Sequence, residues 1–336
     1  MADFHLDFFQ YMLKKRRDDF SNALFSCMNT ILKENQNKKI DFVCISGDVF
    51  HGKHPSWKAI EEFQYFINVL NTNGIKVIGV TGNHDHTPYT WMEFFQVFGG
   101  SAPIVHFDNV VIYKVNWSVS MIDQCFDIVK NVNKDKFNIL IVHQGTDKYF
   151  GKLTELAIDR FSALGINYIA LGHIHVPYSY SIAHNPGSLE YTSSTDWGNP
   201  GGIFVVDVLD GVVSIEHVLS QHRHCFKVEC RGSVKSLYKT IADAKLSQDS
   251  MLEVDFQSDI KPKQLNDLEM RIKEDFALLR VKIKNNVEAG VESTSEKLLS
   301  EEDVFEDVFK DMSKVVKEVV VNRDSPEKVA ELLDDH

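Results

Sequence analysis

The chain has 336 residues, 43% of them hydrophobic and 25% charged, values that exclude wholesale disorder and leave room for one large domain and a smaller one. The net charge of −12 is concentrated in residues 286–336, which hold 15 acidic against 6 basic residues, so the first 285 carry only −3 and a polyanionic partner is not excluded. No apolar run reaches the roughly 18 residues that cross a bilayer, and the opening MADFHLDFFQYMLKKRR places its basic cluster after the apolar stretch, opposite to a secretory signal.

From the start to about residue 220, short apolar runs alternate with helical patterns. IDFVCISGD (40–48), IKVIGVTGNHD (75–85), FNILIVHQG (137–145) and INYIALGHIH (166–175) each run through β-branched and apolar residues and stop in Gly, His, Asp or Asn. Continuous apolar runs predict strands buried on both faces, with helices at 17–35 and 57–72 covering the sheet. Trp57, Phe63, Phe66 and Ile67 fall at helical spacing and read as core, as do Phe94, Phe95 and Phe98. The polar residues then sit at the C-terminal ends of strands, where α/β proteins place their ligand sites. GGIFVVDV and VVSIEHV around Asp210-Gly211 predict a hairpin. Residues 225–285 read β-α-β-α-β and predict a small α+β domain, with helices near 233–245 and 262–276. Residues 286–300 form a polar linker. Val304, Phe305, Val308, Phe309, Met312, Val315, Val316, Val319 and Val320 then give residues 301–336 the apolar stripe of amphipathic helices. The five cysteines (Cys27, Cys44, Cys125, Cys225, Cys230) are odd in number and contain no CxxC pair, which fits a reduced cytoplasmic setting with neither disulfides nor a zinc-thiolate site.

Five polar clusters stand out: Asp3-Phe4-His5, Gly47-Asp48, Gly82-Asn83-His84-Asp85, His143, and Gly172-His173-Ile174-His175. Each alone is weak, since a strand-end histidine is commonly a surface residue. Together they supply imidazole, carboxylate and amide oxygen, the donors of borderline divalent cations. Two such cations sharing a carboxylate can stabilise both the attacking and leaving oxygens of a phosphoryl displacement. The glycines before Asp48, Asn83 and His173 let the backbone turn sharply and approach closely.

In this order and over this length, DxH, GD, GNHD, H and GHxH resemble the calcineurin-like metallophosphoesterase superfamily. GDVFHGKHPS (47–56) and NPGSLEY (185–191) are most similar to the SbcD-type DNA repair nucleases within it. The resemblance covers about residues 1–285. It implies a four-layer α/β phosphoesterase domain over 1–220, a β-sandwich flanked by helices, then a cap for DNA recognition over 225–285. It implies two divalent cations, with manganese the expected metal. Asp3, His5 and His175 would hold the first, Asn83, His143 and His173 the second, and Asp48 would bridge them. His84 would face the scissile phosphate, Asp85 would orient it, and His51 would contact DNA.

The implied activity is DNA exonuclease and endonuclease cleavage by the nuclease subunit of an SbcCD-like complex, cytoplasmic and off the membrane. A homodimer within that complex is implied, docked through residues 301–336 on an SMC-like ATPase of SbcC type. Two rivals keep the fold: a stand-alone phosphodiesterase on a small nucleotide, and a non-catalytic scaffold with a degraded first metal site. Lys14, Lys15, Arg16 and Arg17 read either as phosphate contacts or as a solvated helix start. His54, His86, His184, His222 and His224 have no counterpart in the resemblance and read as surface residues. One departure stands out: only Met1 and Ala2 precede DxH, where the family has a complete strand. Asp3 and His5 are therefore expected to hang from a frayed chain end and to bind the first metal weakly.

Overall fold

The computed structural model describes residues 1–84, 102–147, 156–258 and 260–285. Asp85, the aromatic run Phe94–Phe95–Phe98, the linker and the C-terminal stripe lie outside the described residues. The chain divides into two compact units, Met1–His222 and the part beginning at Arg223.

The first unit is built on strands buried on both sides, as their composition predicts. Helix α1 (Lys14–Asn37) leads into β1 (Phe42–Ser46), and α2 (Trp57–Thr72) into β2 (Lys76–Val80). β1 and β2 pair in parallel, Val43 opposite Val77 and Ser46 opposite Val80. A second, six-stranded sheet collects β3 (Ile104–His106), β4 (Val110–Val115), β5 (Phe137–Val142), β6 (Tyr168–Ala170), β7 (Tyr178–Tyr180) and β8 (Ala183–Asn185). Their order is β3-β4-β5-β6-β8-β7, parallel from β4 through β6 to β8 and antiparallel at both edges. Helices α3 (Met121–Ile128) and α4 (Ile158–Leu164) belong to this half, and β9 (Gly202–Leu209) and β10 (Val212–Leu219) form the expected hairpin. Asp210 and Gly211 both take positive φ, 52° and 79°, as a tight two-residue turn requires.

Period-two alternation sorts the strand residues into three apolar layers. Val43, Ile45 and Val77 pack with Leu24, Ile31, Phe63 and Phe66 of α1 and α2. Ile78, Val80, Ile112, Ile139, Ile141 and Tyr168 fill the space between the two sheets. Val111, Tyr113, Leu140, Val142 and Ile169 face outward against Cys125 of α3 and Phe161 of α4. The result is helix, sheet, sheet, helix: the expected four-layer α/β architecture. Trp57 departs from expectation. Mostly exposed, it lies at the first turn of α2, ahead of the buried stripe, and its Nε1 donates to Glu61 at 2.7 Å.

The chain start also departs from expectation. Residues 1–6 contain no assigned strand, yet they run alongside β1 and its continuation as a strand would. Ser46 N donates to Met1 O (2.9 Å), Asp3 N to Gly47 O (3.1 Å), His5 N to Asp48 O (3.0 Å) and Leu6 N to Val49 O (2.9 Å). Ala2, Phe4 and Leu6 are fully buried, and Phe4 stands edge-on to Phe63 and Phe66 at 6.4 and 6.1 Å. The segment is tied by backbone and side chain alike, which removes the ground for expecting a frayed end.

In the second unit, β11 (Cys225–Arg231), β12 (Met251–Gln257) and β13 (Arg280–Asn285) form a parallel sheet in that order. Helices α5 (Val234–Asp243) and α6 (Pro262–Asp275) cross between them and cover one face through Leu237, Ile241, Leu268 and Ile272. The other face carries alternating charges such as Lys284 paired with Glu253 at 2.5 Å.

All five cysteines are free thiols; burial pushes those of Cys27, Cys44 and Cys125 up to about 12, so they stay protonated. Among the described residues no helix is long and apolar enough to cross a membrane.

Candidate metal centre

The strand ends and the chain start converge on one cluster. Asp48 follows β1, Asn83 and His84 follow β2, His143 follows β5, and His173 and His175 follow β6. Asp3 and His5 arrive on the segment that runs beside β1. Asp3, His5, Asp48 and His173 all take positive φ, at 54°, 46°, 49° and 81°. Non-glycine residues rarely do so, and such strain accumulates where surrounding structure holds a site in a set geometry. Gly82 is required by close approach: a Cβ there would overlap the Asp48 carboxylate.

Two donor groups meet at Asp3. Asp3, His5 and His175 bring their ligand atoms within 4.8 Å of one another, as do Asp3, Asp48 and His143. His5 Nε2 lies 3.1 Å from His175 Nε2. Asn83 Oδ1 lies 3.0 Å from both His143 Nε2 and His173 Nδ1. Asp48 Oδ2 stands between the groups, 3.2 Å from His143 Nε2 and 3.8 Å from His5 Nε2. The residues of both sets implied by the sequence are therefore brought together, with Asp48 in reach of His143 and of His5. A further group, His5, His51 and His84, also clusters within 4.8 Å and shares His5 with the first.

The surrounding groups fix which ring nitrogen faces inward. His143 donates from Nδ1 to the Ser46 carbonyl at 2.7 Å, leaving Nε2 for the centre. Thr192 Oγ1 donates its only proton to Asp196 Oδ2 (2.8 Å), so it accepts from His175 Nδ1, whose Nε2 then faces His5. Asp196 is held in turn by the amides of Thr192 and Ser193 at 3.1 and 2.9 Å. His84 donates from Nδ1 to the His51 carbonyl (2.8 Å), and its own amide donates to Asp48 Oδ1 (2.9 Å). The described group that orients His84 is thus the His51 backbone. His51 stacks on Phe8 at 3.6 Å and on His84 at 4.9 Å.

Burial dominates the electrostatics. It lowers His5, and together with the crowding of neighbouring imidazoles it brings His173 and His51 each to about 4. It raises Asp3, partly offset by His143 and His175. His143 goes the other way: burial would lower it, but the Asp48 carboxylate outweighs that and raises it to about 9. Burial would likewise raise Asp48, and the His143 imidazolium holds it below the usual carboxylate range instead. Inward-facing imidazole nitrogens 3.1 Å apart, beside two buried carboxylates and an amide oxygen, form a donor set that fits divalent cations.

The calcineurin-like phosphoesterase family matches residues 1–177, more than half of the chain. The chain belongs to the calcineurin-like phosphoesterase family. Membership carries phosphoester hydrolysis with divalent metals. The DNA double-strand break repair protein Mre11 of Methanocaldococcus jannaschii is 28% identical over 259 residues, covering 70% of this chain and 67% of the relative. The protein of the same name from Methanococcus maripaludis is 27% identical over 213 residues, covering 58% of this chain and 56% of the relative. An uncharacterized metallophosphoesterase of Bacillus subtilis, YhaO, is 24% identical over 245 residues, 64% of this chain and 58% of its own length. The chain thus spans between about half and two thirds of the length of these calcineurin-like relatives.

The basic run needs a correction. Arg16 is fully buried and cannot meet DNA: its guanidinium is surrounded by Gln10, Asp19, Glu190 and the Tyr191 carbonyl. Arg17 is drawn into an ion pair with Asp7 at 2.5 Å and a hydrogen bond to Ser56 at 2.6 Å. Lys14 and Lys15 remain exposed. Sequence reasoning missed Thr192 and Asp196, whose only signal was their position just after the PGS turn.

Proposed function

We propose that this chain is a manganese-dependent two-metal nuclease that hydrolyses phosphodiester bonds in DNA. The observation that supports the reading best is that Asp48 Oδ2 lies 3.2 Å from His143 Nε2 and 3.8 Å from His5 Nε2, one carboxylate oxygen in reach of an imidazole from each proposed set. Asp3, His5 and His175 would hold the first cation, and Asn83, His143 and His173 the second. Cations bound there supply Lewis-acid stabilisation of charge developing on the phosphoryl oxygens and activation of the attacking water. The chain's own residues do the rest. His84, anchored through Nδ1, keeps Nε2 for the substrate, where it stabilises the scissile phosphate or protonates the leaving oxygen. His51, stacked between Phe8 and His84, contacts the nucleic acid beside the metals, and Lys14 and Lys15 add attraction for the backbone.

DNA as substrate is supported by relatives named for double-strand break repair and by the GDVFHGKHPS and NPGSLEY resemblance. The unit beginning at Arg223 takes the cap role, and residues 301–336 the docking on an SMC-like ATPase, with two copies per complex. Wild type and His84→Ala should be compared on linear DNA and on bis-p-nitrophenyl phosphate, with manganese and with chelator. The expected result is manganese-dependent cleavage of both by wild type and a loss of roughly 100-fold or more in the variant, the scale of a lost general acid. Dye-ester hydrolysis without DNA cleavage would point instead to a small-nucleotide phosphodiesterase, and inactivity on both to a non-catalytic scaffold.

A further inference from the structure

The buried arginine is too thoroughly satisfied to be only a helix residue. Arg16 Nε donates to Gln10 Oε1 at 2.7 Å, Nη1 to Asp19 Oδ2 at 2.7 Å, and Nη2 to the Tyr191 carbonyl at 2.7 Å. Nη1 also lies 3.2 Å from Glu190 Oε1, whose carboxylate accepts from the Tyr191 amide at 2.8 Å. Gln10 passes the constraint on, because its Nε2 donates to the Thr192 carbonyl at 2.5 Å. Thr192 is the residue whose hydroxyl, committed to Asp196, fixes the His175 tautomer. The guanidinium therefore joins the segment that continues from Asp3 and His5 to the segment that orients His175. The first of these segments follows two donors of the first group, and the second orients the third donor, His175, which lies 170 residues beyond His5.

We infer that Arg16 and Gln10 are positioning residues for the first metal site, acting on His175 through Thr192. The inference rests on the two-metal reading and adds to it a device that sets one site independently of the other. The second group, Asn83, His143 and His173, is held by other bonds: Nδ1 of His143 donates to the Ser46 carbonyl, the His173 amide donates to the Asp3 carboxylate, and Asn83 stands after β2. A planar guanidinium suits the task, because its five donors lie in a fixed fork and can bind four acceptors at once, which a lysine cannot.

The test is manganese binding by the full-length protein, followed calorimetrically and by electron paramagnetic resonance. Wild type, Gln10→Ala, Thr192→Val and the double variant are compared, with thermal unfolding recorded for each. Gln10→Ala leaves the Arg16 charge paired with Asp19 and Glu190, so it keeps the fold where Arg16→Met is at risk. Expected is a first-site affinity weaker by ~10–100-fold in each single variant, the usual effect of losing a group that orients a ligand. The second site should stay within about twofold, and the double variant should lose little beyond Thr192→Val, because both act along one path. Nitrogen shifts of His175 in the metal-free protein, read at alkaline pH where the ring is neutral, should show Nδ1-protonated imidazole in wild type and a mixture of tautomers in Gln10→Ala. Wild-type-like first-site affinity in Gln10→Ala would overturn the inference and leave the two-metal reading intact. Equal weakening of both sites, or additive losses in the double variant, would also overturn it. A wild type that binds a single manganese would overturn the two-metal reading itself, and the inference with it.

Discussion

Replacing Phe4 with alanine tests how a chain start without a strand holds two metal ligands. Phe4 lies between Asp3 and His5, is fully buried, and meets Phe63 and Phe66 edge-on at 6.4 and 6.1 Å. Truncating a buried phenylalanine costs about 3–5 kcal/mol, a figure that already includes its aromatic contacts. The remaining ties of residues 1–6 are backbone bonds to β1 and its continuation, the bond from the Met1 ammonium to the Cys44 carbonyl, the amides of His173 and Leu189 donating to Asp3, and the apolar contacts of Ala2 and Leu6. The variant should therefore lose its stability locally, by detachment of this segment, more than through the whole domain. At 1.4 kcal/mol per tenfold, about 3 kcal/mol raises the open population by roughly 100-fold. Hydrogen exchange read on a peptide spanning residues 1–8, in chelator, should accelerate by about that factor, while peptides from β4 and β5 change little. First-site manganese affinity should fall in parallel, because Asp3 and His5 leave together. Unchanged protection of the peptide, or uniform acceleration across the domain, would refute the claim that Phe4 anchors the segment.

Gly82→Ala places a Cβ on the Asp48 carboxylate and should cost about 1–3 kcal/mol in thermal unfolding while weakening both manganese sites together. Normal binding at either site would show that Asp48 is not shared. Before metal binds, His143 is raised to about 9 by Asp48, so at neutral pH it holds a proton that a ligand cannot keep. Second-site affinity should therefore climb as pH rises and level off near pH 9, with roughly one proton released per cation below that. Calorimetry in buffers of different ionisation enthalpy measures this release, and none would remove His143 from the ligand set. Lys14→Ala with Lys15→Ala should lower the salt slope of DNA binding by about 0.9 per lost phosphate contact, while Arg17→Ala, already paired with Asp7, should leave it unchanged. An unchanged slope in the lysine variant would assign both residues to a solvated helix start.

The legible parts of this protein were those written locally. An apolar run ending in Gly-Asp, Gly-Asn-His or Gly-His-Ile-His announces both a doubly buried strand and the polar group at its end, so Asp48, Asn83, His143, His173 and His175 could be placed from the sequence. What stayed hidden depends on residues distant in sequence. Residues 1–6 lack the length of a strand, and what holds them is remote in sequence: the phenylalanines of α2, the backbone of residues 44–49, and the amides of His173 and Leu189. Arg16 sits in a run of four basic residues, and nothing adjacent says that Asp19 and Glu190 will close around it. Trp57 fits the helical stripe by spacing but precedes the turn at which α2 meets the core. Thr192 and Asp196 act through His175, 17 and 21 positions earlier, a distance no local motif spans.

The central claim is one carboxylate shared by two cations, and diffraction near the manganese absorption edge tests it most directly. Crystals grown with manganese should show two anomalous peaks roughly 3.5–4 Å apart. One should lie within reach of Asp3, His5 and His175, the other of Asn83, His143 and His173, with Asp48 between them. A single peak, or a pair that Asp48 does not join, would contradict the account.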